Sequence, residues 1–198
     1  MFYETAENRH TLAHDPFKAI VSPRPIGWIS TLSKEGTANL APYSFFNAVG
    51  DNPKMVMFGS AGIKDSARNA MDRGEFTCNF VSENFKVAMN QSSADLAPDI
   101  SEFDEASIAS APGQMVKCPR VANAFAALEC KVLQIINPVG LDGKPSDNHL
   151  VLGQVVGIHI AEAAIRNGRF DVTLVRPVSR LGYMDFSTVT DIFEMKRP

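Results

Sequence analysis

The pattern of extended and helical segments is what most limits the architectures open to this chain. "IGWISTLS" (26–33) is rich in β-branched and aromatic residues and runs into "KEGT", which reads as a hairpin turn. "ANLAPYSFFNAV" and the apolar strand "KMVMFGS" follow. Only "DSARNAMDRG" (65–74) then reads as a short helix, with Gly74 as its stop. "EFTCNFVS" (75–82) places Phe76, Cys78 and Phe80 on one face of a half-buried strand. "ENFKVAMNQSSADL" reads as helical, and the acidic, then Pro-rich stretch 97–120 as short helical turns and loops. Extended pattern returns in "AALECKVLQIIN" (126–137) and "HLVLGQVVGIHIAE" (149–162), where Gly153 and Gly157 mark bulges or close backbone approaches. The tail "FDVTLVRPVSRLGYMDFSTV" offers one more strand and an irregular end. A doubly wound parallel sheet needs strands that alternate with long helices, and these do not. The pattern predicts a mainly β, mostly antiparallel barrel with peripheral helices.

Composition narrows the function classes. A chain of 198 residues with 45% hydrophobic residues and no internal linker is expected to form one domain, 1–198, with a sizeable core. A net charge of −3 with scattered basic residues argues against a nucleic-acid partner. No apolar run approaches the roughly 18 residues of a membrane span, and no signal peptide is visible at the N-terminus. Three widely spaced cysteines, Cys78, Cys118 and Cys130, read as reduced thiols, so a cytoplasmic location is expected. Catalytic signatures such as G-x-S-x-G, H-E-x-x-H, the Walker loop and G-x-G-x-x-G are missing. His10, His14, His149 and His159 form no metal set legible in the sequence, and no metal site is expected.

Two stretches carry chemistry. In "GSAGIKDSARNAMDRGEF" (59–76), Lys64 stands just before the short helix, where a cation sits badly against the helix dipole. The residues leave two readings open. Asp65 or Ser66 is a plain cap with Lys64 facing solvent; or Lys64, Ser66 and the first-turn N–H groups form an anion seat, with small residues leaving room for approach. In "NLAPYSFFNAVG" (39–50), Pro42 cannot donate to a ladder, so the segment is an edge or a bulged turn. Tyr43, Phe45 and Phe46 line a pocket or belong to the core, and Asn39 and Asn47 flank the segment. Arg24, between Pro23 and Pro25, is held extended and is suited to pair with an anion or a carboxylate.

Taken in order, P-R-P-I, S-T, N-x-A-P-Y-S-F-F-N, K-D-S-x-x-N and G-E-F resemble the flavin reductase-like, FMN-binding split-barrel family, in its flavoredoxin-like branch. "APGQMVKCPRVANAFAALEC", "HLVLGQVVGIHI" and "RPVSRLGYMDF" extend the likeness from about residue 14 to about 190. The resemblance implies a split β-barrel, antiparallel and Greek-key-like, that forms a homodimer with FMN at the subunit interface. It places Lys64, Asp65, Ser66 and Asn69 on the phosphate side, and Thr31 and Asn39 near the ribityl chain or phosphate. It sets the backbone of Ala41, Tyr43, Ser44, Phe46 and Asn47 along the isoalloxazine edge, and brings His149 to the cofactor from the same or the partner chain. It implies an oxidoreductase, an NAD(P)H-dependent flavin reductase in which NADH or NADPH stacks on the flavin and passes hydride to N5. A monooxygenase or other redox protein is the implied partner. A flavoredoxin-like electron carrier with tightly held FMN and a non-catalytic flavin-binding protein are the other classes. No catalytic acid or base is assigned.

Overall fold

A computed structural model describes residues 1–198. In chain order come α1 (Phe17–Ile20), β1 (Arg24–Pro25), β2 (Gly27–Leu32), β3 (Ala38–Tyr43), β4 (Phe46–Asp51), β5 (Lys54–Ala61) and α2 (Asp65–Arg73). They are followed by β6 (Glu75–Asn79), α3 (Lys86–Gln91), α4 (Glu102–Glu105), β7 (Ser110–Ala111), β8 (Arg120–Val121) and β9 (Ala126–Ile136). β10 (Asn148–Ile160), β11 (Ile165–Arg166), β12 (Arg169–Phe170), α5 (Val172–Val175), β13 (Val178–Arg180) and β14 (Phe186–Thr188) complete the chain. No helix is long and apolar enough to cross a membrane.

Seven strands form one antiparallel sheet in the order β3-β2-β6-β9-β10-β5-β4. Its two edge strands, β3 and β4, are consecutive in sequence, so the sheet must curl until its ends approach. Tyr43 on β3 meets Phe58 on β5 with ring centroids 4.9 Å apart, although the two strands lie near opposite ends of the ladder. The Gly59 N–H donates to the Phe45 carbonyl (2.7 Å) at the same corner. The result is the open antiparallel barrel expected from the sequence. Pro42 lies on an edge strand, where a missing N–H breaks no central ladder.

α2 carries the chain from β5, on one side of the barrel, to β6 on the other. Ala67 and Ala70 sink into the core with Ile29, Phe58, Phe76 and Val151, and their small side chains let the helix seat closely. Gly74 ends the helix at φ 68°, a left-handed value that costs glycine little, and its N–H donates to Ala70 O (2.9 Å). On β10 the register slips at Leu152/Gly153 and at Val155/Gly157, the bulges the two glycines suggested. A Cβ at Gly153 would stand 2.5 Å from the Phe76 ring, so the aromatic occupies the space a side chain would need.

β6 departs from expectation. All five of its residues are buried, so the strand is covered on both faces and not half-buried. The outward face is polar and lies beneath the segment 113–121, whose backbone it binds. The N–H of Lys117 donates to Glu75 Oε1 (2.8 Å), Thr77 Oγ1 donates to Cys118 O (3.2 Å), and the Val121 N–H donates to Asn79 Oδ1 (2.7 Å). Glu129 on neighbouring β9 is fully buried and accepts from the N–H groups of Gln114, Met115 and Val116 and from His159 Nε2. Alternation was legible; the strap over it was not. The helix after residue 83 is also shorter than its pattern. It stops at Gln91 because Ser92 turns inward, its Oγ donating to Met89 O and accepting from Trp28 Nε1 (2.8 Å). The tail forms two short strands, β13 and β14, which join β1 in a separate small sheet.

Burial pushes the thiols of Cys78 and Cys118 up to about 12 and that of Cys130 higher still, so none is a thiolate at neutral pH. Burial alone would raise the Glu129 carboxyl, but the bonds from His159 and the three amides outweigh it and hold the group below its ordinary value.

Two outcomes follow from this packing. Gly153→Ala should lower stability by about 1–3 kcal/mol in a denaturant titration, because the methyl must displace Phe76. Glu129 contributes stability that is present above the ordinary carboxylate pKa and lost as pH falls through its depressed folded value. Glu129→Gln should therefore cost roughly 2–3 kcal/mol at neutral pH and flatten the loss of melting temperature below about pH 4.

Candidate functional site

The start of α2 has no side-chain cap. Lys64 occupies the N-cap position with extended backbone (φ −74°, ψ 171°), and no side-chain oxygen accepts from the first-turn N–H groups. Asp65 Oδ1 instead accepts from Arg68 Nη1 (2.7 Å), and Ser66 Oγ accepts from Asn39 Nδ2 (2.8 Å). The plain cap offered by the sequence is thus not what the helix uses. Its orphan donors remain available, with an unpaired lysine beside them.

Two buried polar pairs fix where that helix start points. Thr31 and Asn39 stand opposite each other on the β2–β3 hairpin. Asn39 bonds to Ser66, and Thr31 Oγ1 accepts from Asn69 Nδ2 (3.1 Å) one turn further along. Thr31 is fully buried and Asn69 nearly so. Burial raises the pKa of the Tyr43 phenol against the opposing pull of the Ser66 and Ser60 hydroxyls, keeping it a neutral group.

Asn39, Tyr43 and Ser66 border two adjoining hollows, whereas Thr31 and Asn69 lie behind Asn39 and Ser66 and line neither. A pocket of about 270 Å³ is lined by Asn39, Ala41, Tyr43, Lys64, Asp65 and Ser66. A larger cleft of about 870 Å³ shares Pro42, Tyr43, Lys64 and Ser93 with it. The cleft runs over Ser44, Phe45 and Gly59 toward Arg24 and Arg180. The other candidates lie elsewhere. Phe46 turns its ring against Gly27 and lines a separate apolar hollow of about 460 Å³ with Ile158 and Ile160. Asn47 is exposed on β4, its Oδ1 accepting from the Ala48 N–H (2.9 Å). His149 stands opposite Ser60 on β10, half-buried, with Nδ1 buried and unpartnered.

The sequence points to the cleft's floor, through Ser44, Phe45 and the small residues from Gly59, but not to its far wall. Gly59 lies within β5, and a Cβ there would press Phe45 at 3.3 Å and Leu150 at 3.4 Å, so the glycine keeps the floor flat. A glycine inside a strand was the available signal. His14, whose ring packs 5.5 Å from that of Tyr183, forms part of the wall and was weighed only as a metal ligand. Arg24 is buried at the base of that wall, donating to the carbonyls of Lys18, Val21 and Leu181.

Residues 21–180 match the family model described as "Flavin reductase like domain". The chain belongs to the flavin reductase-like family. An uncharacterized protein of Halalkalibacterium halodurans is 35% identical over 183 residues, covering 90% of this chain and 87% of its own length. Among solved structures, nitrilotriacetate monooxygenase component B from Bacillus cereus is 30% identical with a TM-score of 0.87, covering 98% of each chain. The Pseudomonas fluorescens 2-nitrobenzoate 2-nitroreductase is 28% identical with a TM-score of 0.87, covering 100% of this chain and 96% of its own. Within the flavin reductase-like span lie both hollows' floors, the α2 start and the β3–β4 corner. Residues 14–18 and 181–186, which build the wall, lie outside it.

A merely structural role for the Asn39–Ser66 pair predicts one effect and a ligand-facing role adds another. Asn39→Ala should lower the melting temperature by the equivalent of about 1 kcal/mol, read by calorimetry on ligand-free protein. It should also weaken flavin binding, because Ser66 is then free to turn away from the pocket.

Proposed function

We propose that this protein binds FMN in the joined hollows and acts as an NAD(P)H-dependent flavin reductase that hands electrons to a partner. The observation that carries the reading is the uncapped start of α2, with Lys64 and Ser66 facing a pocket that opens into a long cleft, in a flavin reductase-like chain. An elongated ligand with a flat end and a terminal phosphate matches that shape. The free N–H groups, the Ser66 hydroxyl and Lys64 suit the phosphate. Asp65 engages Arg68, which keeps its carboxylate from competing for the same donors.

In this reading Asn39 and Ala41 flank the ribityl chain, with Thr31 and Asn69 holding the shelf from behind. The β3–β4 corner, Tyr43 to Asn47, presents backbone to the heterocycle's edge. Because β3 and β4 are the two edges of the sheet, their outward N–H and C=O groups are not all spent on ladders. His149 contributes from the same or a partner chain, its unpartnered Nδ1 awaiting an acceptor or donor. Bound FMN supplies a two-electron carrier that accepts hydride from NADH or NADPH. The protein's task is to hold the ring with one face open and to exclude water from the Phe45–Gly59 floor.

The kinship with a monooxygenase component B favours delivery of reducing equivalents to a partner oxygenase. A homodimer with the flavin between subunits, working in the cytoplasm where its thiols stay reduced, completes the proposal.

Lys64→Ala and Ser66→Ala should each weaken FMN binding by the equivalent of about 1.5–3 kcal/mol, measured by fluorescence quenching. The melting temperature of the apoprotein should hardly change in Lys64→Ala, whereas Ser66→Ala should lower it about as much as Asn39→Ala does, because both break the same buried bond; unaltered FMN affinity in both would remove the phosphate seat. Anaerobic mixing of the FMN-loaded protein with NADH or NADPH should bleach the flavin band. Bleaching by neither, with reduction only by a redox protein, would leave an electron carrier in place of a reductase.

A further inference from the structure

The larger cleft holds more positive charge than one flavin phosphate requires. Lys18, Arg24, Lys64 and Arg180 line it, with His14 and a single carboxylate, Asp15. None of the four cations has an ion-pair partner. Asp15 is occupied in accepting from the Phe17 N–H (2.8 Å). Arg24 and Arg180 stand directly opposite each other on β1 and β13, an arrangement that destabilises an antiparallel pair. Burial, and after it the charge of Arg180, lowers the pKa of Arg24. Arg24 is only 6% exposed, and its Nε is buried without a partner.

Arg180 is oriented but not satisfied. Its guanidinium lies over the Phe186 ring at 4.3 Å, and Nη2 donates to the Tyr183 carbonyl. Its Nε and Nη1 make no hydrogen bond within the chain. Around it the wall is aromatic, with the His14–Tyr183 pair and Phe186, and the floor adds Phe45, its ring 6.0 Å from Arg24. Neither arginine borders the smaller pocket at Asn39 and Ser66.

We propose that this arginine end of the cleft recognises the anionic group, carboxylate or phosphate, of a flat conjugated second substrate, with Arg180 as the specificity-determining residue. The proposal rests on the flavin reading to the extent that Lys64 and Ser66 take the cofactor's phosphate and leave Arg180 free, with Arg24 behind it as a fixed positive charge. A stacked guanidinium presents a fixed edge of N–H donors that matches a planar oxyanion. The aromatic wall suits the conjugated body of the ligand. A neutral analogue leaves two facing arginines uncompensated, which is where discrimination arises.

The test is calorimetric titration of the FMN-loaded protein at low ionic strength with benzoate, phenyl phosphate and benzamide. At least one anion should bind about tenfold or more tightly than benzamide, and the better anion identifies the group recognised. Arg180→Gln should weaken the better anion by about tenfold and leave benzamide unchanged. Lys18→Gln, which removes one cleft charge and no hydrogen bond or ion pair, should weaken it by about two- to fivefold. It decides the matter where Arg180→Gln disturbs the turn at 181–186. Benzamide binding as well as both anions, or anion affinity unchanged in both variants, overturns the proposal. FMN affinity is read separately by fluorescence. If Arg180→Gln loses FMN as Lys64→Ala does, the arginines hold the flavin phosphate and the proposal falls. If the wild type binds no FMN, the flavin reading falls alone, and the same titrations on the unloaded protein decide the arginine site.

Discussion

The lock between α2 and the β2–β3 hairpin is the constraint on which the site depends. Two buried side-chain pairs, Asn39–Ser66 and Thr31–Asn69, tie successive turns of one short helix to facing residues of the hairpin. Buried polar groups are costly when unpaired and rigidifying when paired, so the helix has one favoured seat. That seat sets Lys64 beside the β3–β4 corner and spends Ser66 on Asn39 instead of on its own helix. The barrel core holds the other side of the helix through Ala67 and Ala70. A stability element and a pocket-lining element are therefore the same nine residues.

Buried carboxylates organise the rest. Glu75, Glu102 and Glu129 are each less than one-tenth exposed, and each accepts from backbone N–H groups that belong to a different segment. Glu102 reaches the Leu40 N–H (2.8 Å) on edge strand β3, satisfying a donor that no neighbouring strand could pair. Glu75 also pairs with Lys131 Nζ at 2.6 Å. Acids thus fasten irregular segments to a barrel whose apolar interior cannot hold them.

What could be read from the sequence follows from the range of each interaction. The strands, the stop at Gly74 and the bulges at Gly153 and Gly157 are local matters of backbone preference, and they were legible. The motif order from Pro23 to Asn69 gave the family, and with it the segments that meet at the pocket. What stayed open depends on long-range placement. Phe45 and Phe46 are adjacent and both aromatic, and only the corner decides that one faces the cleft and the other the opposite hollow. The burial of Glu75, Thr77 and Asn79 needs the strap from 113–121, some forty residues away. Arg24 looked like an anion partner in its Pro-Arg-Pro frame. Its donors prove to be spent largely on carbonyls, which makes it the post for a wall built from both ends of the chain.

That wall has a consequence for which parts of the site can change independently. Its segments, 14–18 and 181–186, lie beyond the matched domain, and they meet through Arg24 and through the close approach of Gly182 to Ala19. The floor and the helix seat lie inside the span and are knitted into the barrel by buried bonds, so changes there are felt by the whole fold. The wall is a clasp of two flanking ribbons with few ties to the core. A substitution in those ribbons can reshape what enters the cleft while the seat beneath them stays as it was.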